Sequence, residues 1–523
     1  MTITRFITRL TAILLLMGFG DYCRSQSLYI PLHRAWTNSA MSSALQDSLP
    51  ALHLAEKPLL SIELHSDGAA IERDSAAAGR SKFRAKLMYD HLVDIRDEQY
   101  ELTLDPVLDA YAGKDIADTG AWNSANLFFN QRGLLLRGRV GKQLFFETSF
   151  FETQTVVPDY LQAFNNRYGI YPGFGRTKRY KENGYDFALA TSHVTYVPRK
   201  NITLQIGQGK HHYGHGYRSL LWSDASFVYP FVKARFSLFD DRLTYSTLYA
   251  ELRTLERLPQ GEVPESLFKP KSASVHYLSY TPHPSFEVGL FESIIWNRFD
   301  STGTHAPSAM AAVPILGVHS AAQGLDSQNN GMLGLNMAWR FKQKFMLYAQ
   351  CAADSPRDQR MGYQFGFRVF DLVEGLDIQS EFNTASDFVY ASRFVLQQYA
   401  HVNQPLGHPA GGAFREWVFI ANYHRQRFWA EVKVNDLKQS QGPGGDFEAN
   451  PDGIFQTIAA WPEKQRQQLD IQCGWIVQPQ TRTSVVAGCT LQNYPIIGNS
   501  IAETTWLWLG IRAQLLNHYN DYQ

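Results

Sequence analysis

The chain has 523 residues with 49 basic and 49 acidic side chains, a balance that gives no electrostatic ground for a nucleic-acid partner. Aromatic residues make up 13% of it, and after about residue 100 no sustained helical periodicity appears. A string of helical soluble domains is therefore excluded in favour of a β-rich chain.

Residues 1–25 read as an export signal. Arg5 and Arg9 form its positive part and Leu10 to Gly20 its apolar part, with cleavage expected after Ser25. The apolar part is too short to span a membrane as a helix, and no later stretch offers the roughly 20 apolar residues that one needs. Gly20-Asp21-Tyr22 before Cys23 matches lipidation sequences poorly, so simple cleavage is preferred to a lipid anchor. Cys473 and Cys489 sit symmetrically about a turn near Gln478 to Thr481. They read as small apolar wall residues, with a strained bridge as the alternative.

Residues 26–98 are expected to be a periplasmic, partly helical segment. Phe83, Leu87, Met88, Leu92 and Ile95 fall on one stripe at helical spacing, while Ser66 to Gly79 has the composition of a linker.

From residue 99 to 523 alternation takes over. Strands are predicted at 101–110, 132–140, 143–153, 186–196, 201–208, 230–240, 242–252, 272–280, 285–296, 331–341, 344–352, 361–370, 374–383, 414–424, 426–437, 467–477, 481–492 and 503–516. Short turns such as Gly141-Lys142 and Asp240-Asp241 alternate with long connections such as Thr153–Asp186 and Asn297–Asn330. That rhythm predicts an all-β transmembrane fold, an antiparallel outer-membrane β-barrel of about 18 strands with short periplasmic turns, long external loops and periplasmic termini. Tyr363, Phe365, Phe367 and Val369 would meet lipid, and Arg137, Arg235, Arg340, Arg368, Glu381, Glu431 and Lys433 would line the lumen. Two residues resist this scheme. Pro106 inside the first strand calls for a bulge, and Glu292 shares the lipid-facing parity of Val288 and Leu290.

The stretch Leu204 to Phe236 begins and ends as strand and carries between them a glycine-broken polar and aromatic loop. Its candidate ligand-binding residues are Lys210, His212, Tyr213, His215, Tyr217, Arg218, Trp222 and Asp224. Aromatic faces cover sugar C–H surfaces, and charged groups bond hydroxyls or uronic carboxylates. The alternative is that the loop folds inward and braces the wall, with Arg218 and Asp224 as a structural pair. A second external cluster holds His401, Asn403, Gln404 and His408. The two clusters are expected to meet above the lumen. His211, His212 and His215 have a metal-like spacing, but a glycine-broken loop does not fix ligand geometry, so neither metal nor other cofactor is expected there. No Gly-x-Ser-x-Gly elbow occurs, and lumen carboxylates belong to any wet barrel, so no catalytic residue is assigned.

Gly209-Lys210, Gly216-Tyr217-Arg218-Ser219-Leu220-Leu221-Trp222-Ser223-Asp224 and Tyr229-Pro230 resemble the signature of the Wzi-type capsule assembly family, in particular its Bacteroidota branch with RemB-type gliding motility proteins. Thr148 to Glu152 and Val157 to Tyr160 precede these residues in matching order, and His276 to Ser279, Gly289 to Glu292 and His401 to Pro409 follow. The resemblance implies an eighteen-stranded outer-membrane barrel with a periplasmic helical portion and a surface role without catalysis. Members of the capsule branch hold polysaccharide at the surface, and those of the RemB branch serve adhesion and gliding. His211 to His215 replaces a less histidine-rich stretch, so no glycan-contacting residue is carried over. Expected partners are outer-membrane lipid, surface polysaccharide and other outer-membrane or motility proteins. The alternative functions are a porin-like channel for polar solutes and a membrane subunit of a secretion or motility complex.

Overall fold

A computed structural model describes residues 28–47, 51–64, 81–117, 126–258, 267–325, 329–355, 359–442, 462–495 and 501–522. Eighteen antiparallel strands close into a barrel. They are β1 (Tyr100–Asp115), β2 (Leu127–Val140), β3 (Leu144–Val156), β4 (Gly184–Arg199), β5 (Ile202–Gly209) and β6 (Tyr229–Leu238). Next come β7 (Leu243–Arg257), β8 (Phe268–His283), β9 (Phe286–Asn297), β10 (Asn330–Phe341), β11 (Phe345–Ser355) and β12 (Arg360–Val369). The last six are β13 (Leu376–Ala385), β14 (Phe414–Arg425), β15 (Phe428–Ser440), β16 (Glu463–Gln478), β17 (Thr483–Pro495) and β18 (Ile501–Arg512). Each predicted strand is present. On the external side the expected rhythm of long connections is broken twice, since β11 ends at Ser355 and β12 begins at Arg360, and β17 ends at Pro495 and β18 begins at Ile501.

Alternation sets the two faces of the wall. Phe365, Trp417, Val434 and Ile471 point outward and are exposed, while Gln364, Glu416, Asn435 and Gln468, of the opposite parity on the same strands, are buried inside. Cys473 opposes Ala487 and Cys489 opposes Ile471, so the two thiols are offset along the ladder and both are free.

The seam explains Pro106. β18 pairs with β1 only from Ala110 to Asp115, and a short strand, Val93–Arg96, pairs with Glu101 to Leu104 on the same edge. Pro106 lies between these two partners, where no ladder hydrogen bond asks for its missing N–H. On its other side the register with β2 runs without a shift from Tyr100 to Gly113, so the expected bulge is absent.

The predicted helical stripe divides at the same place. Ser81 caps a helix, Lys82–Met88, by accepting from the Arg84 amide, and the chain then enters the seam strand. Asp105 holds the junction by accepting from His91 Nδ1 at 2.6 Å and from the Leu92 amide. Leu87, Leu92 and Ile95 are exposed rather than packed in a protein core. The helix sits at the short-turn rim, where Gln478 and Gln480 donate to the carbonyls of Asp90 and Tyr89.

Residues 28–47 and 51–64, expected in the periplasm, pack inside the barrel instead. A helix α1 (Arg34–Gln46) lies against the wall, with Trp36 donating to the Gln514 carbonyl and Arg368 donating to Asn38. After β18 the chain turns back, so that residues 513–522 also run into the lumen.

Candidate functional site

The loop between β5 and β6 leaves the wall on the external side and then folds inward. Gly209 and Tyr229 are paired at its base. Lys210, His212, Tyr213, His215, Tyr217, Arg218, Trp222 and Asp224 are all buried, none more than 8% exposed. Their side chains lie inside the barrel, the placement that the inward-folding alternative describes. They form the centre of a plug.

Arg218 is the main tie. Its guanidinium meets Glu416 of β14 and Asp521 of the C-terminal tail, each at 2.9 Å, and not Asp224. The amides of Tyr217 and Arg218 donate to Glu381 of β13 at 2.7 and 3.0 Å. Tyr217 donates to Asp521, which also meets Lys433 of β15 at 2.8 Å. The guanidiniums of Arg34, from the N-terminal segment, and of Arg218 both lie 4.7 Å from the Tyr217 ring centroid. Burial alone would raise the Asp521 carboxyl, but Arg218 and Lys433 outweigh it and hold it well below the usual carboxylate range.

Asp224 has a separate set of partners. His212 Nδ1 lies 3.2 Å away, and Tyr519 and Asn517 of the tail donate to it at 2.7 and 2.9 Å. Burial, with Lys57 nearby, pulls His212 down to about 4, so it is a neutral donor. Trp222 donates to the Tyr229 hydroxyl at 2.7 Å and packs edge-on against Tyr399. The three histidines diverge: His211 turns to Tyr229, His212 to Asp224 and His215 to Glu287.

The N-terminal segment supplies the other half of the plug. Glu56 meets Lys233 and Arg235 of β6 at 2.8 and 3.1 Å, and Glu56-Lys57 pairs as a short ladder with Tyr213 and His212. Lys57 donates to the Gly214 carbonyl at 2.7 Å, and burial lowers its ammonium to about 7. Lys210, lowered by burial to about 8, donates to the carbonyls of Gly173 and Asp224.

The second cluster does meet the first, but inside the barrel rather than above it. Ser223 N–H donates to the Leu406 carbonyl at 2.6 Å, and the Ser223 hydroxyl donates to that of Gly407. His401 is held between the Arg253 amide and the Val228 carbonyl, and His408 pairs with Glu416 at 2.7 Å. Gln404 accepts from the Gly173 amide, and the half-buried Asn403 donates to the Tyr168 carbonyl. Cavities left in the filled lumen include ones of about 90 and 70 Å³, room for a few waters each.

Surface groups suited to a ligand lie elsewhere, on the external connection 157–183. Arg167, Arg176, Lys178, Arg179 and Lys181 are exposed there, against a single exposed acid, Glu182. They are interleaved with rings: Arg176 and Arg257 lie over Phe268 at 5.6 and 5.3 Å, and Arg179 lies over Tyr185 at 5.3 Å. The run Arg176-Thr177-Lys178-Arg179-Tyr180-Lys181 is the sequence signal for this surface, masked by the chain's overall neutrality.

Among solved structures, Wzi of Escherichia coli superposes with a TM-score of 0.54 over 92% of this chain and 99% of that one, at 10% identity. It is described as an outer-membrane protein involved in group 1 capsule assembly and a carbohydrate-binding β-barrel. This chain is an outer-membrane β-barrel. Two barrels of Pseudomonas aeruginosa align less well: OccK8 (OprE) with a TM-score of 0.41 over 79% of this chain and 98% of that one at 10% identity, and OpdO with 0.43 over 80% and 98% at 9%. No family model and no curated protein matches the sequence. At these identities the likeness concerns the fold and leaves the Bacteroidota and RemB branch unsupported.

Proposed function

We propose that this barrel is a closed surface anchor that holds an anionic polysaccharide against the outer face of the cell through its external basic and aromatic surface. The observation that carries this reading is the filled lumen. An eighteen-stranded barrel left empty is wide enough for an aqueous channel. Here residues 28–47 and 51–64, the loop 210–228 and the tail 513–522 occupy that space and are tied together by buried ion pairs such as Arg218 to Glu416 and Asp521. With the interior closed, only the outer surface is left to meet a ligand.

That surface favours acidic sugars. Exposed Arg176, Lys178, Arg179 and Lys181 suit carboxylates, and neighbouring rings such as Tyr180 and Phe268 suit apolar sugar faces. The overall likeness to a carbohydrate-binding barrel agrees with this reading.

The test is binding of the detergent-purified barrel to the host's own surface polysaccharide at low and high salt. Arg176, Lys178 and Arg179 exchanged together for Ala should weaken binding at least about tenfold and flatten its salt dependence. Trp222→Ala, where folded, should bind as the parent does. Binding that falls with Trp222 and ignores the basic surface would overturn the assignment. Absence of binding by the parent would turn the reading toward a protein partner in adhesion or gliding.

A further inference from the structure

Glu292 has lipid-facing parity, and so has His276, directly opposite it on β8. Two polar groups on the outward face of a membrane barrel are costly unless something covers them. The connection after β9 covers them. It runs down the outside of the wall as a 3₁₀ turn, Ala309–Ala312, and a short helix, Val318–Gln323. Ser274 fastens it by donating to the Ala311 carbonyl at 2.7 Å and accepting from Trp296 Nε1 at 2.9 Å. Under this flap Glu292 and His319 are fully buried and His276 is 1% exposed.

The hydrogen bonds fix where the protons are. Tyr245 has one hydroxyl proton, which goes to the Pro314 carbonyl at 2.9 Å. Its oxygen must therefore accept from His276 Nδ1–H, also at 2.9 Å, which leaves Nε2 of that ring with a bare lone pair. His319 Nε2 faces the Met310 carbonyl, which can only accept, so Nδ1 carries the lone pair there. Both bare nitrogens are buried without a hydrogen-bond partner. One nitrogen of each ring and a Glu292 oxygen lie within 4.8 Å of one another. Two imidazoles, each with an unclaimed buried lone pair, and a carboxylate thus lie together under the flap, a set of donors that a cation would satisfy.

We propose that His276, Glu292 and His319 bind a divalent transition-metal ion of the zinc type, which clips the external flap to the outside of the barrel. Two imidazoles and one carboxylate are the ligand set such an ion prefers, whereas calcium and magnesium require more oxygen. The supporting contacts are those of a metal site. Each ring donates its remote N–H to an oxygen, and the amides of Gly317 and Ser320 donate to the Glu292 carboxylate at 2.6 and 3.0 Å. Ligand atoms around a tetrahedral zinc stand about 3.3 Å apart. Binding therefore draws the triad inward, and His319, on the flap rather than the wall, is the ligand free to move.

The test uses protein without a polyhistidine tag, stripped with chelator in detergent and titrated with Zn²⁺ by calorimetry and with Co²⁺ by its visible absorption. One ion per chain is expected, with the intense visible bands of a four-coordinate cobalt site. His319→Ala and His319→Gln, whose heat-modifiable gel mobility shows an intact barrel, should lose at least about tenfold in affinity. Zn²⁺ should also slow proteolysis within 298–325 in the parent and not in these variants. Absence of stoichiometric uptake by the folded parent, or unchanged uptake by the His319 variants, would overturn the site and leave a shared proton or a water as what reconciles the three groups.

Discussion

Arg218 shows how much of the plug rests on single side chains. It is 1% exposed and compensates two carboxylates, Glu416 and Asp521, that are themselves fully out of water or nearly so. Removing one partner of a buried ion pair leaves an uncompensated charge, at a cost of about 3–5 kcal/mol. Arg218→Ala should therefore loosen the plug by that order, read as new protease sensitivity within 210–228 in a barrel whose gel mobility is unchanged. The buried imidazoles add a pH dependence. Burial lowers His53 and His212 to about 4 and His401 to about 3, below the ordinary value near 6.5. They are neutral when docked and become charged when released, so protons bind preferentially to the undocked state. Docking should weaken as pH falls through 6.5 toward 4, and protease sensitivity in the same loop should rise across that window. The loop's residue types were legible in the sequence, but their orientation was not. Glu381 and Glu416, which hold the loop, come 163 and 198 residues after Arg218, and no local pattern announces that pairing.

At the scale of elements, the wall and the plug carry different kinds of information. Strands write themselves into the sequence because the period of two repeats along each one, and all eighteen were found that way. Plug segments have no period. They are read only through the wall residues that receive them, such as Gly334 of β10, where an added Cβ would come within 2.2 Å of Leu221. Gly334→Leu should force Leu221 out of its seat and destabilise docking by about 1–3 kcal/mol, measurable as a lower midpoint for loss of loop protection in denaturant. The lipid-facing anomaly at Glu292 has the same origin. Parity correctly placed it outside, and only the fold of residues 298–325 shows that the outside is covered there. Pro106 was legible as an exception, but its cause, a ladder shared between β18 and a short seam strand, depends on where the chain ends meet.

For the whole molecule, closure follows from three chain segments converging on one set of charges. Arg34 comes from the N-terminal segment, Tyr217 and Arg218 from the loop, Asp521 from the tail, and Glu431 and Lys433 from the wall. Because the segments share partners, losing one should release the others. A chain ending at Arg512 lacks Asn517, Tyr519 and Asp521, and so leaves Asp224, Arg218 and Lys433 short of partners at once. The most direct measurement is single-channel conductance in planar bilayers, parent beside that truncated chain. The parent should be silent at neutral pH, and the truncation, folded by gel mobility, should pass current. Large steady currents through the parent would contradict a closed barrel and return the chain to the class of open porins.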